Sequence, residues 1–167
     1  MKKLLFFLTM VCLGGMIVMS CNRENGSNTG GDKKIAIQYQ LKNVFTQNGA
    51  TQQLTPCFHY NIRYVDDTGK TVELNNVSAP WNLPAFEIKT PFTAKIEGTI
   101  VYNESEIPET GPIYFGVVPN IHTTENGVEK DYGLNDSPVG QFSSKELFLT
   151  FIASHPERLK FTLEHTF

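Results

Sequence analysis

From residue 34 onward, apolar and polar side chains alternate with a period of two in one short segment after another. In KIAIQYQLK, Ile35, Ile37, Tyr39 and Leu41 fall on one face and Ala36, Gln38 and Gln40 on the other, the pattern of a half-buried β-strand. PCFHYNIRYV repeats it, with Phe58, Tyr60, Ile62 and Tyr64 inward and His59, Asn61 and Arg63 outward. Asn48-Gly49 predicts a tight turn, because both residues tolerate the left-handed backbone that a two-residue hairpin needs. The DDTG run turns the second strand back into KTVELNNV.

PWNLP is too rich in proline for a helix, and Phe86 and Ile88 after it mark a short strand. FTAKIEGTIVY then sets Phe92, Ala94, Ile96, Gly98, Ile100 and Tyr102 against Thr93, Lys95, Glu97 and Thr99. The polar loop NESEIPETG leads to a strand in PIYFGVV, and Glu125-Asn126-Gly127 closes a further hairpin into VEKDYGL. Ser143 with Glu146 three residues on is a capping-box pattern ahead of LFLTFIASH, and Pro156 stops the helix it starts. The apolar run ELFLTFI is nearly continuous and would also suit a strand; the capping pattern favours the helix. RLKFTLEHTF returns to alternation, with Leu159, Phe161 and Leu163 on one face. Many short strands joined by Gly, Asn and Pro turns predict a mostly β fold: an antiparallel, immunoglobulin-like β-sandwich with one short helix before the last strand.

The first residues break this pattern. Lys2 and Lys3 precede an apolar run over 4–19, too short for a bilayer span of about 20 residues and followed at once by polar sequence. That is the layout of a secretory signal over residues 1–20. Val18-Met19-Ser20-Cys21 resembles a bacterial lipobox, with a branched apolar residue three before the cysteine and a small one directly before it. The resemblance implies cleavage ahead of Cys21 and attachment of a glyceride and an acyl chain such as palmitate to that residue. Two or more chains anchor stably where one binds only reversibly. Residues 21–32, with the run NRENGSNTGG, lack apolar periodicity and read as a flexible tether. Ten such residues span roughly 17 Å root-mean-square. Residues 33–167 are the length of one ordinary domain. Asn22 stands where an aspartate would retain a lipoprotein in the inner membrane, so the expected address is the bacterial cell envelope, at the outer membrane.

Loss of Lys2 and Lys3 with the signal leaves 12 basic against 17 acidic residues, a net charge of −5. Nucleic acid is thereby disfavoured as a partner, since phosphate backbones are gripped by clustered Lys and Arg. Cys12 leaves with the signal and Cys21 carries lipid, so Cys57 has no disulfide partner in its own chain and reads as a small buried hydrophobe.

The sequence predicts no catalytic, cofactor or metal site. His59, His122, His155 and His165 lack zinc-ligand spacing. Asp66 and Asp67 sit in a turn without the alternating oxygen ligands of a calcium loop. Glu104, Glu106 and Glu109 share one loop, whereas glycosidase carboxylates face each other across a cleft. Trp81, the single tryptophan, fits either a plug at one end of the sandwich or an aromatic contact for a sugar or partner protein. Trp81 and Tyr102 are the candidate contacts, with Tyr114 and Tyr132 as further aromatic residues.

Over residues 60–100, an aromatic strand, an acidic-glycine turn, an asparagine-containing return strand, Pro80-Trp81 and an apolar strand with Ala94 resemble the MmpS-type accessory domain. The resemblance implies an extracytoplasmic module without catalytic residues that serves a transporter or envelope partner. This chain departs from that family in its lipobox, in the absence of paired cysteines and in its C-terminal helix. The expected function is a lipid-anchored, non-catalytic binding or accessory module with an envelope protein as partner, and a glycan as the alternative ligand.

Overall fold

A computed structural model of the chain describes residues 34–134 and 137–167, all within one compact unit, Gly31–Phe167. The expected signal, Cys21 and the tether lie outside the described residues. The strands are β1 (Lys34–Lys42), β2 (Val44–Gln47), β3 (Ala50–Gln53), β4 (Phe58–Val65), β5 (Thr71–Ser78), β6 (Trp81–Asn82) and β7 (Phe86–Lys89). There follow β8 (Thr93–Tyr102), β9 (Thr110–Phe115), β10 (Val118–Glu125), β11 (Val128–Gly133), β12 (Gly140–Ser144), the helix α1 (Lys145–Ser154) and β13 (Lys160–Thr166).

The fold is the expected mostly antiparallel β-sandwich with its one helix ahead of the last strand. One sheet has the order β11-β10-β1, with β6 and β7 each pairing part of the far side of β1; the other has the order β13-β8-β4-β5. The pairs β9-β12 and β2-β3 are separate two-stranded ribbons. All these pairings are antiparallel. Alternation identified the core correctly: Ile35, Ile37, Tyr39 and Leu41 are buried opposite Phe58, Tyr60, Ile62 and Tyr64, joined by Ala94, Ile96 and Ile100. Asn48-Gly49 and Asn126-Gly127 form the anticipated hairpins, each with positive φ at both residues. Gly98 is required by packing, because a Cβ there would run into the Asn61 and Ile62 backbone and the Phe161 ring.

Two expectations need correction. PIYFGVV is not one strand. At Gly116, whose φ of +145° favours glycine, the chain leaves β9 in its ribbon with β12 and enters β10 beside β1. A Cβ at Gly116 would also collide with Pro138 and Val139, so the crossing depends on that residue. The helix is capped by Ser144 rather than Ser143: its hydroxyl accepts from the Leu147 N–H at 3.4 Å. Pairing with β9 holds β12 extended through Ser144, opposite Thr110, which moves the helix start one residue on and takes Glu146 out of the capping-box position.

Two tyrosines tie the layers in opposite directions. The Tyr39 hydroxyl crosses from β1, donates to the Val65 carbonyl at 2.9 Å and accepts from the Lys95 N–H at 3.1 Å. Val65 and Lys95 lie one step beyond Tyr64 and Ile96, the last residues β4 and β8 pair directly, so the hydroxyl bridges the place where that ladder ends. The Tyr60 hydroxyl crosses the other way from β4 and donates to the Gly116 carbonyl at 2.8 Å. Along one side of the sandwich, Tyr132 of β11 lies on His165 of β13 with ring centroids 3.8 Å apart.

Tyr60→Phe leaves the buried Gly116 carbonyl without a partner and is expected to lower unfolding free energy by about 1–3 kcal/mol in urea titrations at pH 7. Burial, above all, pushes the Tyr39 hydroxyl up to about 12. The unfolded tyrosine ionises near its ordinary value of about 10, so Tyr39 contributes stability fully below pH ~10 and loses it as pH rises toward 12. Urea titrations between pH 9 and 12 should therefore show a decline that is shallower in Tyr39→Phe.

Candidate functional site

Trp81 and Tyr102 do not form a common face. Trp81 lies in β6 opposite Leu41 of β1, half-buried, with its ring 6.1 Å from Tyr64. Tyr64 continues to Tyr39 at 5.4 Å, which makes Trp81 part of the wall of the core. Tyr102 pairs with Phe58 at the other end of β4, its ring 6.3 Å from Phe58 and 5.3 Å from Phe148. Phe58 and Tyr64 are six residues apart on one strand, roughly 20 Å at the usual rise. Tyr114 packs on Phe45 and Tyr132 on His165, so the further tyrosines do not complete an aromatic face with either.

Several of the other residues singled out by sequence have local partners. Glu106 accepts from the Asn103 amide and Glu109 pairs with Lys145 at 2.9 Å. Asp66 Oδ1 accepts from the Thr68 and Lys70 N–H groups and the Thr68 hydroxyl, which closes the DDTG turn on itself. Cys57 is buried, and burial pushes its thiol up, away from the reactive thiolate. His59 stands across from Ser78 on β5 at 3.0 Å, and His155 meets the Phe151 carbonyl at 3.1 Å. Among the described residues, no three of His, Cys, Asp and Glu come together as a metal-ligand set.

On the outer face of the β1 sheet lies a polar network that the sequence reading passed over. Asp131 accepts from Asn120 at 2.9 Å, meets the His122 ring at 2.8 Å and pairs with Lys42 at 3.0 Å. Asn120, only 3% exposed, also donates to Gln40, whose amide donates to Gln38. The Asn120 hydrogen bond first, then those from His122 and Lys42, hold the Asp131 carboxyl well below the usual carboxylate range. The network joins β1, β10 and β11, with the Asn120 amide nitrogen donating to both Gln40 and Asp131; its role is to lock three strands together.

A wide concavity lies elsewhere, at the far end of the sandwich. Its volume is about 690 Å³, and it is bordered by α1, β12 and the last residue of β2. Helix α1 is held there by Phe148, fully buried with its ring 5.3–5.6 Å from Tyr102, Phe115, Phe58 and Phe142. Phe148 and Ile152 form the buried stripe, which leaves Leu147 54% exposed and Phe151 half-buried on the groove side. Phe142, Phe151 and His155 make a row of rings with centroid steps of 5.1 and 4.7 Å, the second pair stacked. Gln47, Gln141, Ser143, Thr150 and Ser154 supply the polar part of the lining. No carboxylate, lysine or arginine lines it. Apolar residues beyond those one face can bury, in LFLTFIA, were the available sequence sign of this surface.

Compared with known families and curated proteins, the chain matches none.

Because the folded Asp131 carboxyl sits low, its contribution is present above the unfolded value of about 3.9 and is lost as pH falls through that range. Asp131→Asn should be less stable than the parent chain at pH 7, and the gap should shrink below pH ~4, read by thermal melts from pH 7 to 3.

Proposed function

We propose that the chain is a lipid-anchored, non-catalytic binding module of a bacterial envelope, expected at the outer membrane, whose binding face is the groove between α1 and β12. The observation that carries this reading is where the groove lies relative to the start of the domain. Strand β1 begins at Lys34 and carries the chain about 25–30 Å along the sandwich. Its last residue pairs with Val118, beside the Phe115 end that holds α1, and Gln47 at the groove rim follows soon after. The N-terminal end of β1 is therefore the end of the domain opposite the groove. An anchor at Cys21 would attach the chain from the side of β1 that does not contribute to the groove.

The lipobox resemblance supports the anchor, and the resemblance over residues 60–100 supports an envelope or transport assembly as the setting. A concave surface with aromatic rings and a few polar groups is the usual form of a ligand site. Ser154 donates to the Thr150 carbonyl and His155 meets the Phe151 carbonyl, local bonds that support reading the groove as a binding face.

Two substitutions in the native host test this. Cys21→Ala should move the protein from the membrane fraction to the soluble fraction. A photo-crosslinking amino acid at position 147 should give adducts of raised mass, while the same group at position 126, in the β10–β11 turn, should not. Retention of Cys21→Ala on membranes contradicts the anchor. Equal labelling at 147 and 126, or none at either, contradicts the groove.

A further inference from the structure

We infer that the groove between α1 and β12 takes a neutral oligosaccharide. This rests on the reading of the groove as the binding face and adds the class of its ligand. The lining combines two features that a chain of uncharged sugars needs. The first is the row Phe142, Phe151 and His155, with its rings in sequence along the groove. Aromatic faces carry negative charge density and attract the polarised C–H face of a pyranose, and the outer surfaces of this packed row offer such contacts. The second is a set of amides and hydroxyls, Gln47, Gln141, Ser143 and Thr150, whose side chains make no hydrogen bond among the described residues. Each of these groups both donates and accepts. That matches a polyol, where each hydroxyl also does both.

Charge narrows the class further. A carboxylated or sulfated glycan, or an anionic peptide, selects for Arg or Lys at its site, and the lining has neither. A cationic ligand selects for carboxylates, and the lining has none, although the expected mature chain is acidic. An extended peptide bound by strand addition uses backbone groups at an exposed sheet edge. The lining comes mainly from the helix, whose backbone groups are already paired within it, and β12 contributes only three residues, Gln141, Phe142 and Ser143. The uncharged, aromatic and hydroxyl-rich lining best matches an uncharged ligand with apolar faces and many hydroxyls.

The test is isothermal titration of the full lipidated chain in detergent micelles. The probes are neutral hexasaccharides of the gluco, manno, xylo and galacto series, with oligogalacturonate and a sulfated glycosaminoglycan as charged comparators. At least one neutral series should bind, and the charged probes should not. Gln141→Ala and Thr150→Ala, both on the exposed rim, should each weaken binding about fivefold, as loss of one hydrogen bond does. Phe151→Leu should weaken it roughly tenfold through loss of ring stacking. Melting curves of each variant separate loss of binding from loss of fold. Binding by none of the neutral series, preference for a charged probe, or affinities unchanged in the folded rim variants would overturn the inference. The adducts captured at position 147 tell the two readings apart. A peptide adduct there with no glycan binding removes the oligosaccharide and keeps the binding face, whereas no adduct and no glycan binding removes both.

Discussion

The hydroxyl of Tyr39 is the constraint on which the arrangement of the two sheets depends. It starts in one layer and ends between a carbonyl and an N–H of the other, at the point where β4 and β8 stop pairing directly. A buried hydroxyl without partners costs free energy, so the sandwich is favoured only in the register that brings Val65 and Lys95 to Tyr39. Apolar faces alone would tolerate sliding, because hydrophobic burial has no direction. Tyr60 does the same in reverse, reaching the Gly116 carbonyl where the chain changes from ribbon to sheet. Between them, the two hydroxyls fix where the layers lie along their length and where the crossing occurs.

At the far end the constraint is packing rather than hydrogen bonding. Phe148 enters a group of aromatic rings from β4, β8, β9 and β12 and, with Ile152 one turn on, holds α1 against the sandwich. A helix fixed by one stripe keeps its other apolar residues at the surface. Leu147 and Phe151 therefore face a groove instead of a core, and the aromatic row of Phe142, Phe151 and His155 follows from where Phe148 is seated. The binding face proposed for this chain is thus a consequence of how its helix is anchored.

Local patterns made most of the fold legible. Alternation identified the buried faces of β1, β4 and β8, and Asn-Gly pairs marked two hairpins because two-residue turns need positive φ at both positions. The misreadings came where tertiary pairing overrode local pattern. Gly116 looked like the middle of one strand, yet its φ and lack of a Cβ let the chain switch partners there. Ser143 had the capping spacing, yet pairing with β9 kept the strand going to Ser144. Sequence left Trp81 open between a plug and a contact; β6 seats it beside Tyr64, and Tyr102 lies at the opposite end. The groove was hidden because it joins residues of β2, β12 and α1 that are about a hundred positions apart, and no local spacing carries that information.

The groove keeps its shape within the domain only if the two layers are held in register by the crossing tyrosines. Amide hydrogen exchange of the parent chain and of Tyr39→Phe, followed residue by residue, measures this most directly. The account predicts that the Lys95 amide is protected in the parent and exchanges faster in the variant, while amides in the middle of α1 keep their protection. Equal protection of Lys95 in both proteins would contradict it, because the bond from Lys95 to the Tyr39 hydroxyl would then not be what holds the layers in place.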